Sequence, residues 1–211
     1  MFTLYFSPGA CSTASHITLE ETGAAYEHKP ILLANKEQLS EAYQKINPRM
    51  KVPALQLEDG SVITENTAIL YYLGKKYPDA KLLPQDTLGE ARCISFNAWL
   101  SNSVHPCFTH VARPERFTAD EAGKDGVKTQ GKASFWKALQ EIDSHLAGKQ
   151  FIHGSDYTCS DAYSLVFLGW GTRIELPVKE LTNYQAMKDR ALKRPAVRKV
   201  LEREDNVLLK S

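Results

Sequence analysis

Hydrophobic and polar positions divide the chain into two unlike parts. Up to about residue 80 the apolar runs have strand length: Phe2-Thr-Leu-Tyr-Phe6, Glu27 to Leu33, Val52-Pro-Ala-Leu-Gln-Leu57 and Ser61-Val-Ile-Thr64. A helix-length stretch opened by Cys11 and running toward Gly23 separates the first two, which are therefore expected to lie parallel in a strand–helix–strand unit. Lys36 to Lys45 carries helix formers and stops at Asn47-Pro48. Glu58-Asp59-Gly60 supplies residues that tolerate positive φ and predicts a hairpin between the last two strands. Asn66 is placed to cap a third helix, whose stripe of Ile69, Leu70, Tyr72 and Leu73 should face the sheet until Pro78 ends it.

The pattern then changes. Asp79 to Asp86 has no period, contains a proline, and reads as a linker. Beyond it Cys93, Phe96, Leu100 and Val104, and again Phe135, Leu139, Ile142 and Leu146, recur at helical spacing, with Gly148 at the C-terminal end of the second run. Ala162 to Trp170 is apolar on nearly every face, as suits a helix at the centre of a bundle. Two shorter helices are expected near 180–192 and 195–204. The organisation that follows is an α/β domain over residues 1–80 and an all-α helical domain over 87–211.

Composition narrows the function classes. The 26 basic and 25 acidic side chains nearly cancel, which gives no electrostatic case for nucleic acid or for an anionic membrane surface. No charged, then apolar, leader opens the chain and no apolar run approaches the roughly 20 residues of a membrane span, so a cytoplasmic protein is expected. Cys11, Cys93, Cys107 and Cys159 are scattered and read as reduced thiols. The histidines lack ligand spacing, and no metal is expected.

Cys11 is the first candidate for chemistry. A thiol at a helix N-terminus meets unpaired N–H groups and the positive end of the dipole, both of which favour thiolate. Position 14 is Ala, so the resolving cysteine of a disulfide oxidoreductase is missing, and a lone thiol fits holding a thiol ligand. A small buried hydrophobe is the plain alternative. Pro53 must start or edge its strand, and a cis bond there would turn the backbone of Val52 outward toward an extended peptide; a trans proline opening a strand is the simpler local reading. Glu65 and Asn66, at a helix N-terminus, suit the ammonium and carboxylate of an α-amino acid head group, or an ordinary cap.

Together these residues resemble a known family. Tyr5-Phe-Ser-Pro-Gly-Ala-Cys-Ser12, Asn47-Pro48, Val52-Pro-Ala-Leu55 and Glu65-Asn-Thr-Ala-Ile-Leu-Tyr-Tyr-Leu73 look like the thioredoxin-like half of a cytosolic glutathione transferase, and Pro8 to Ser12 with His16 is similar to the bacterial beta class. The resemblance continues through His105-Pro-Cys-Phe108 and Thr158-Cys-Ser-Asp161-Ala-Tyr163.

The resemblance implies a thioredoxin-like fold for the first domain and a set of roles. Cys11 would lie beside the glutathione sulfur, with Ser12 and His105 adding stabilisation. Pro53 would be the cis proline, and Val52 would pair with the cysteinyl backbone. Glu65 and Asn66 would bind the γ-glutamyl end, and Lys36 the glycyl carboxylate. Asn66 stands where the class often has Ser or Gly. The family's asparagine ahead of the histidine falls at Ala98, leaving Asn102, one turn before His105, as its candidate replacement. Pro106 should distort the helix at His105, which gives that histidine a structural alternative. Thr158 and Asp161 form a capping box and belong to folding. Phe6 and Trp170 are candidates for the electrophile pocket. The function implied is conjugation of glutathione to small hydrophobic electrophiles by a homodimeric detoxification enzyme. The alternatives are thiol transfer or peroxide reduction with Cys11 as nucleophile, and a non-catalytic binder of hydrophobic ligands.

Overall fold

The computed structural model describes residues 1–210. Its α/β part is a four-stranded sheet in the order β2-β1-β3-β4, built from β1 (Phe2–Phe6), β2 (Tyr26–Pro30), β3 (Ala54–Gln56) and β4 (Val62–Thr64). β1 runs parallel to β2, with Leu4 opposite His28, and antiparallel to β3, with Leu4 opposite Leu55. β3 and β4 form the expected hairpin, and Gly60 supplies a positive φ of 85° in its turn. β2 is polar and mostly exposed, as an edge strand tolerates, and it ends at Pro30 rather than Leu33.

Helix α1 (Thr13–Glu21) crosses between β1 and β2, and α3 (Asn66–Lys76) follows β4. The helix expected from Lys36 to Lys45 is shorter. Lys36 has φ 58°, which a right-handed helix excludes, and α2 begins only at Glu41, after Ser40 accepts a hydrogen bond from the Tyr43 N–H at 3.2 Å. Asn66 does not cap α3. It is the first helical residue, and Glu65 precedes it at φ 70°, ψ 125°.

The second part is helical: α4 (Thr87–Trp99), α5 (His105–Ala112), α6 (Glu121–His145), α7 (Cys159–Arg173), α8 (Thr182–Ala191) and α9 (Pro195–Arg203). Between α4 and α5 the chain keeps turning through Leu100–Val104 in a widened turn, in which the His105 N–H bonds the Leu100 carbonyl. Pro106 has no N–H for the carbonyl four residues back, and the widened turn absorbs that loss without breaking the helix. α7 is buried from Cys159 to Gly171, as its sequence predicts, and its capping box is present. One Asp161 carboxylate oxygen accepts the Thr158 N–H at 2.7 Å and the other accepts the Ile152 N–H at 2.8 Å.

One of three core clusters among the described residues bridges the two parts. Ala14 and Ile17 of α1 and Leu70 of α3 pack in the same cluster as Leu139, Phe167 and Trp170 of the helical part. The expected linker is itself held: Leu82 and Leu83 are buried, and the Leu82 carbonyl accepts the Cys159 N–H at 2.9 Å.

Candidate functional site

The turn from Ser7 to Ser12 carries Cys11 to the junction of the two parts. The Ser12 hydroxyl accepts the Ser7 N–H at 2.9 Å and donates to the Ser7 carbonyl at 3.1 Å, so it closes this turn and is not free for a ligand, contrary to the sequence expectation. Gly9, at φ 64°, is held from the helical part on both sides. Its N–H donates to Glu204 at 2.8 Å and its carbonyl accepts the Trp170 indole N–H at 3.0 Å. A Cβ there would lie 1.7 Å from the end of the flexible Arg173 side chain, and the positive φ itself strains any L side chain, which favours glycine.

Cys11 precedes α1, and its thiol donates to the Val52 carbonyl at 3.4 Å. The Val52-Pro53 bond is cis, as the resemblance implies and as the local sequence alone disfavours. Burial pushes the Cys11 thiol up to about 12, against the pull of the Cys11 and Ser12 backbone N–H groups and the Asn66 side chain. The expectation of a thiolate is thereby corrected. The helix-terminal donors are present, but desolvation outweighs them. At neutral pH Cys11 is a hydrogen-bond donor.

Glu65 and Asn66 divide their work. Asn66 is buried; its side-chain N–H donates to the Cys11 carbonyl at 2.9 Å, and its oxygen accepts the Ser15 hydroxyl at 2.6 Å. That amide joins α3 to α1 and leaves only the backbone N–H at the start of α3 for a ligand. Glu65 is exposed at a φ that L residues rarely adopt, and its negative charge is felt at both Cys11 and Tyr163. Among the described residues no hydrogen-bond donor or cation meets its carboxylate.

His105 sits half-buried with its ring edge-on to Trp170 at 4.8 Å. Burial first, then the charges of Lys51 and Arg116, bring it down to about 4. It is therefore neutral at pH 7 and offers a hydrogen bond without positive charge. Trp170 is buried, with its ring stacked on Phe108 at 4.2 Å and its N–H spent on Gly9, so it braces the junction. Phe6 is buried in β1 with its ring 4.6 Å from that of His16. Asn102 faces outward and accepts the Ser103 hydroxyl at 2.8 Å, and Lys36 is exposed on the loop after β2; no contact joins either to the Cys11 cluster.

Sequence reasoning missed four residues near this cluster. Lys51 and Arg116 put positive charge on His105, and Tyr163 with Ser101 lies close to Asn66 and Cys11. Lys51, next to Val52, was the one that could have been found from the strand signal.

A cis-proline strand, a lone thiol against the carbonyl before that proline, and an unpaired acidic residue at the next helix start define a thioredoxin-like thiol-ligand site closed by a helical bundle. Comparison with known proteins makes this specific. Residues 9–76 match the family model described as the N-terminal domain of glutathione S-transferase. The chain is 34% identical to glutathione S-transferase GstA of Escherichia coli O157:H7, covering 95% of this chain and 98% of that protein. Among solved structures, a bacterial beta class glutathione S-transferase from Sphingomonas chungbukensis is 35% identical with a TM-score of 0.85, covering 96% of this chain and 98% of the other. A glutathione transferase homologue from Sulfitobacter with bound glutathione is 27% identical with a TM-score of 0.91, over 96% and 98%. The chain belongs to the glutathione S-transferase family and is a glutathione transferase of the bacterial kind, with glutathione as its co-substrate.

Proposed function

We propose that this enzyme joins the glutathione sulfur to small hydrophobic electrophiles, with Cys11 acting as donor rather than nucleophile. The observation that carries this reading is the Cys11 sulfur 3.4 Å from the Val52 carbonyl in a desolvated setting that favours the thiol over the thiolate. A neutral S–H can donate to a thiolate beside it, and the Cys11 and Ser12 N–H groups face the same point, which favours ionised glutathione over its thiol. The raised Cys11 pKa weighs against the alternative in which Cys11 itself attacks a disulfide or peroxide.

The remaining roles are proposals on the same footing. The unpaired Glu65 carboxylate takes the γ-glutamyl ammonium, and the N–H of Asn66 at the α3 start takes the neighbouring carboxylate. The backbone of Val52, presented by cis Pro53, pairs with the cysteinyl part. Lys36, or Lys51 near His105, takes the glycyl carboxylate. His105 approaches from the helical part as a neutral hydrogen-bonding group. Residues 1–80 are the glutathione-binding domain and 87–211 the helical domain that faces the electrophile. A homodimer working in detoxification in the cytoplasm completes the proposal; within the described residues, no helix is long and apolar enough to cross a membrane.

The test is Cys11→Ala assayed for conjugation to a model aryl halide and, separately, for glutathione-dependent disulfide exchange. Conjugation is expected to persist within roughly tenfold of the wild type, since one donor of several is lost, about 1.4 kcal/mol. Abolition of conjugation with glutathione affinity intact would show that Cys11 is essential rather than one donor of several and would overturn the reading.

A further inference from the structure

A second pair of thiols lies outside this site. Cys93 of α4 and Cys159, the first residue of α7, are both fully buried, with their sulfurs 3.9 Å apart. Disulfide sulfurs are bonded at about 2.05 Å, so side-chain rotation has to close less than roughly 2 Å.

The pair sits in a polar nest that an apolar bundle core has no packing reason to contain. Asn97, one turn after Cys93, donates its amide N–H to Cys93 at 3.7 Å and to Cys159 at 3.6 Å. The Ser160 oxygen lies 3.3 Å from the Cys93 sulfur, and His153 Nε2 lies 2.9 Å from that oxygen. His153 is half-buried, so this relay runs from the edge of the protein to the sulfur. A buried polar network needs every group satisfied, yet the Asn97 Oδ1 has no partner among the described residues, so the amide is oriented by the two sulfurs it serves.

Asn97 serves both sulfurs, while Ser160 and Cys159 both contact Cys93. With His153 donating to Ser160 and Ser160 donating to Cys93, the Cys159 S–H is left to donate to Cys93 as well. These contacts from Cys159, His153 and Ser160 lower Cys93 while Cys159 is raised well above an ordinary thiol. The two cysteines are thus differentiated into a nucleophilic sulfur and a protonated neighbour poised to resolve it.

We propose that Cys93 and Cys159 form a second, redox-active site that reduces a small hydroperoxide and closes a disulfide between α4 and the start of α7. Burial of both sulfurs limits the oxidant to a molecule the size of hydrogen peroxide. The Cys93 thiolate attacks one peroxide oxygen, the O–O bond breaks, and the leaving hydroxide takes a proton to become water, leaving Cys93 as sulfenic acid. The Cys159 sulfur then attacks the Cys93 sulfur, the S–O bond breaks, and the departing hydroxyl leaves with the Cys159 proton as a second water. Two thiols are oxidised for one peroxide reduced.

The experiment treats the full chain with hydrogen peroxide, quenches, unfolds it in the presence of a maleimide, and maps peptides without reductant. The expected result is a linked Cys93–Cys159 peptide, with two alkylatable thiols lost in that pair and recovered with dithiothreitol. In Cys159→Ser the link should be absent and Cys93 should carry a dimedone adduct; if that variant does not fold, the wild-type map decides alone. Full alkylation of both Cys93 and Cys159 in the wild type after peroxide has already oxidised Cys11 or Cys107 would overturn the proposal, as would either cysteine appearing linked to a different one.

Discussion

Glu204, just past α9, should be among the residues on which this fold most depends, although it lies at the far end of the chain from the site it supports. Its buried carboxylate accepts three hydrogen bonds from the α/β part: the Gly9 N–H at 2.8 Å, the Thr13 hydroxyl, and His16 Nδ1 at 2.7 Å. Arg203 Nη1 donates to the other ring nitrogen of His16 at 3.0 Å, which fixes Nδ1 as the hydrogen-bearing one. Gly9 and Thr13 flank Cys11, so one carboxylate from the C-terminal helix sets the loop that presents the thiol. Replacing Glu204 with Ala leaves three buried donors without an acceptor. Each unsatisfied donor costs about 1–3 kcal/mol, and breaking a buried charged network typically costs 3–5 kcal/mol, so the change should cost roughly 3–5 kcal/mol in all. Glu204→Gln keeps one acceptor oxygen but turns an NH2 toward donors, and should cost less, roughly 1–3 kcal/mol. The surface pair Arg198–Glu202 at 2.8 Å is the control, and Arg198→Ala should cost under about 1 kcal/mol. Urea unfolding at pH 7 measures all three. Glutathione affinity should weaken in the Gln variant as the Gly9 turn loosens. A Glu204→Ala cost below about 1 kcal/mol, or a Gln variant less stable than Ala, would refute the account of this junction.

His105 should make the protein sensitive to acid. Its native pKa, brought down to about 4 from an ordinary 6.5, means that the folded state holds the neutral ring; the stability this reflects is complete above pH 6.5 and is lost as pH falls through 4. The difference, at about 1.36 kcal/mol per pH unit, is roughly 3 kcal/mol, and His105→Phe should flatten that part of the urea-midpoint profile relative to wild type; parallel profiles would contradict it. Cys11 should be slow toward iodoacetamide: with its pKa at about 12 against an ordinary 9.0, its thiolate at pH 8 is about 1000-fold scarcer, so alkylation should climb about tenfold per pH unit from 8 to 11, whereas a plateau near pH 9 would show an unperturbed thiol. Asp161→Ala removes the acceptor for the Thr158 and Ile152 N–H groups and should lower stability by roughly 2–4 kcal/mol, read by urea unfolding, and a loss below about 0.5 kcal/mol would mean that neither bond matters.

The elements that rest on local chemistry were legible in the sequence. The Glu58-Asp-Gly60 hairpin, the α7 capping box at Thr158 and Asp161, and the all-round apolar run through Ala162–Trp170 each carry their cause within a few residues. Readings that depend on distant groups fared differently. Cys11 has the helix-terminal N–H groups its position promises, but burial in the folded chain works against them, which no local motif encodes. Asn66 has a capping residue's chemistry and spends it on Ser15 and Cys11 instead. Trp170, the end of an apolar run and a candidate for the electrophile pocket, spends its indole N–H on Gly9 across 161 positions of sequence. Glu204 had no signal: an acid in the charged run Glu202-Arg-Glu-Asp205 looks like solvent-facing charge until the fold brings Gly9, Thr13 and His16 to it. His105 was found through the resemblance, yet its neutral state depends on Lys51 and Arg116, which only the folded chain brings near.

The central claim is that Glu65, held in a strained backbone with no partner among the described residues, waits for the ammonium group of glutathione. Calorimetric titration of glutathione into the wild type and Glu65→Gln at pH 7 tests this directly, because Gln keeps the size and the hydrogen-bonding oxygen while removing the charge. The account predicts binding to the wild type and a dissociation constant raised roughly tenfold or more in the variant, about 1.4 kcal/mol or above. Equal dissociation constants for the two proteins would contradict it.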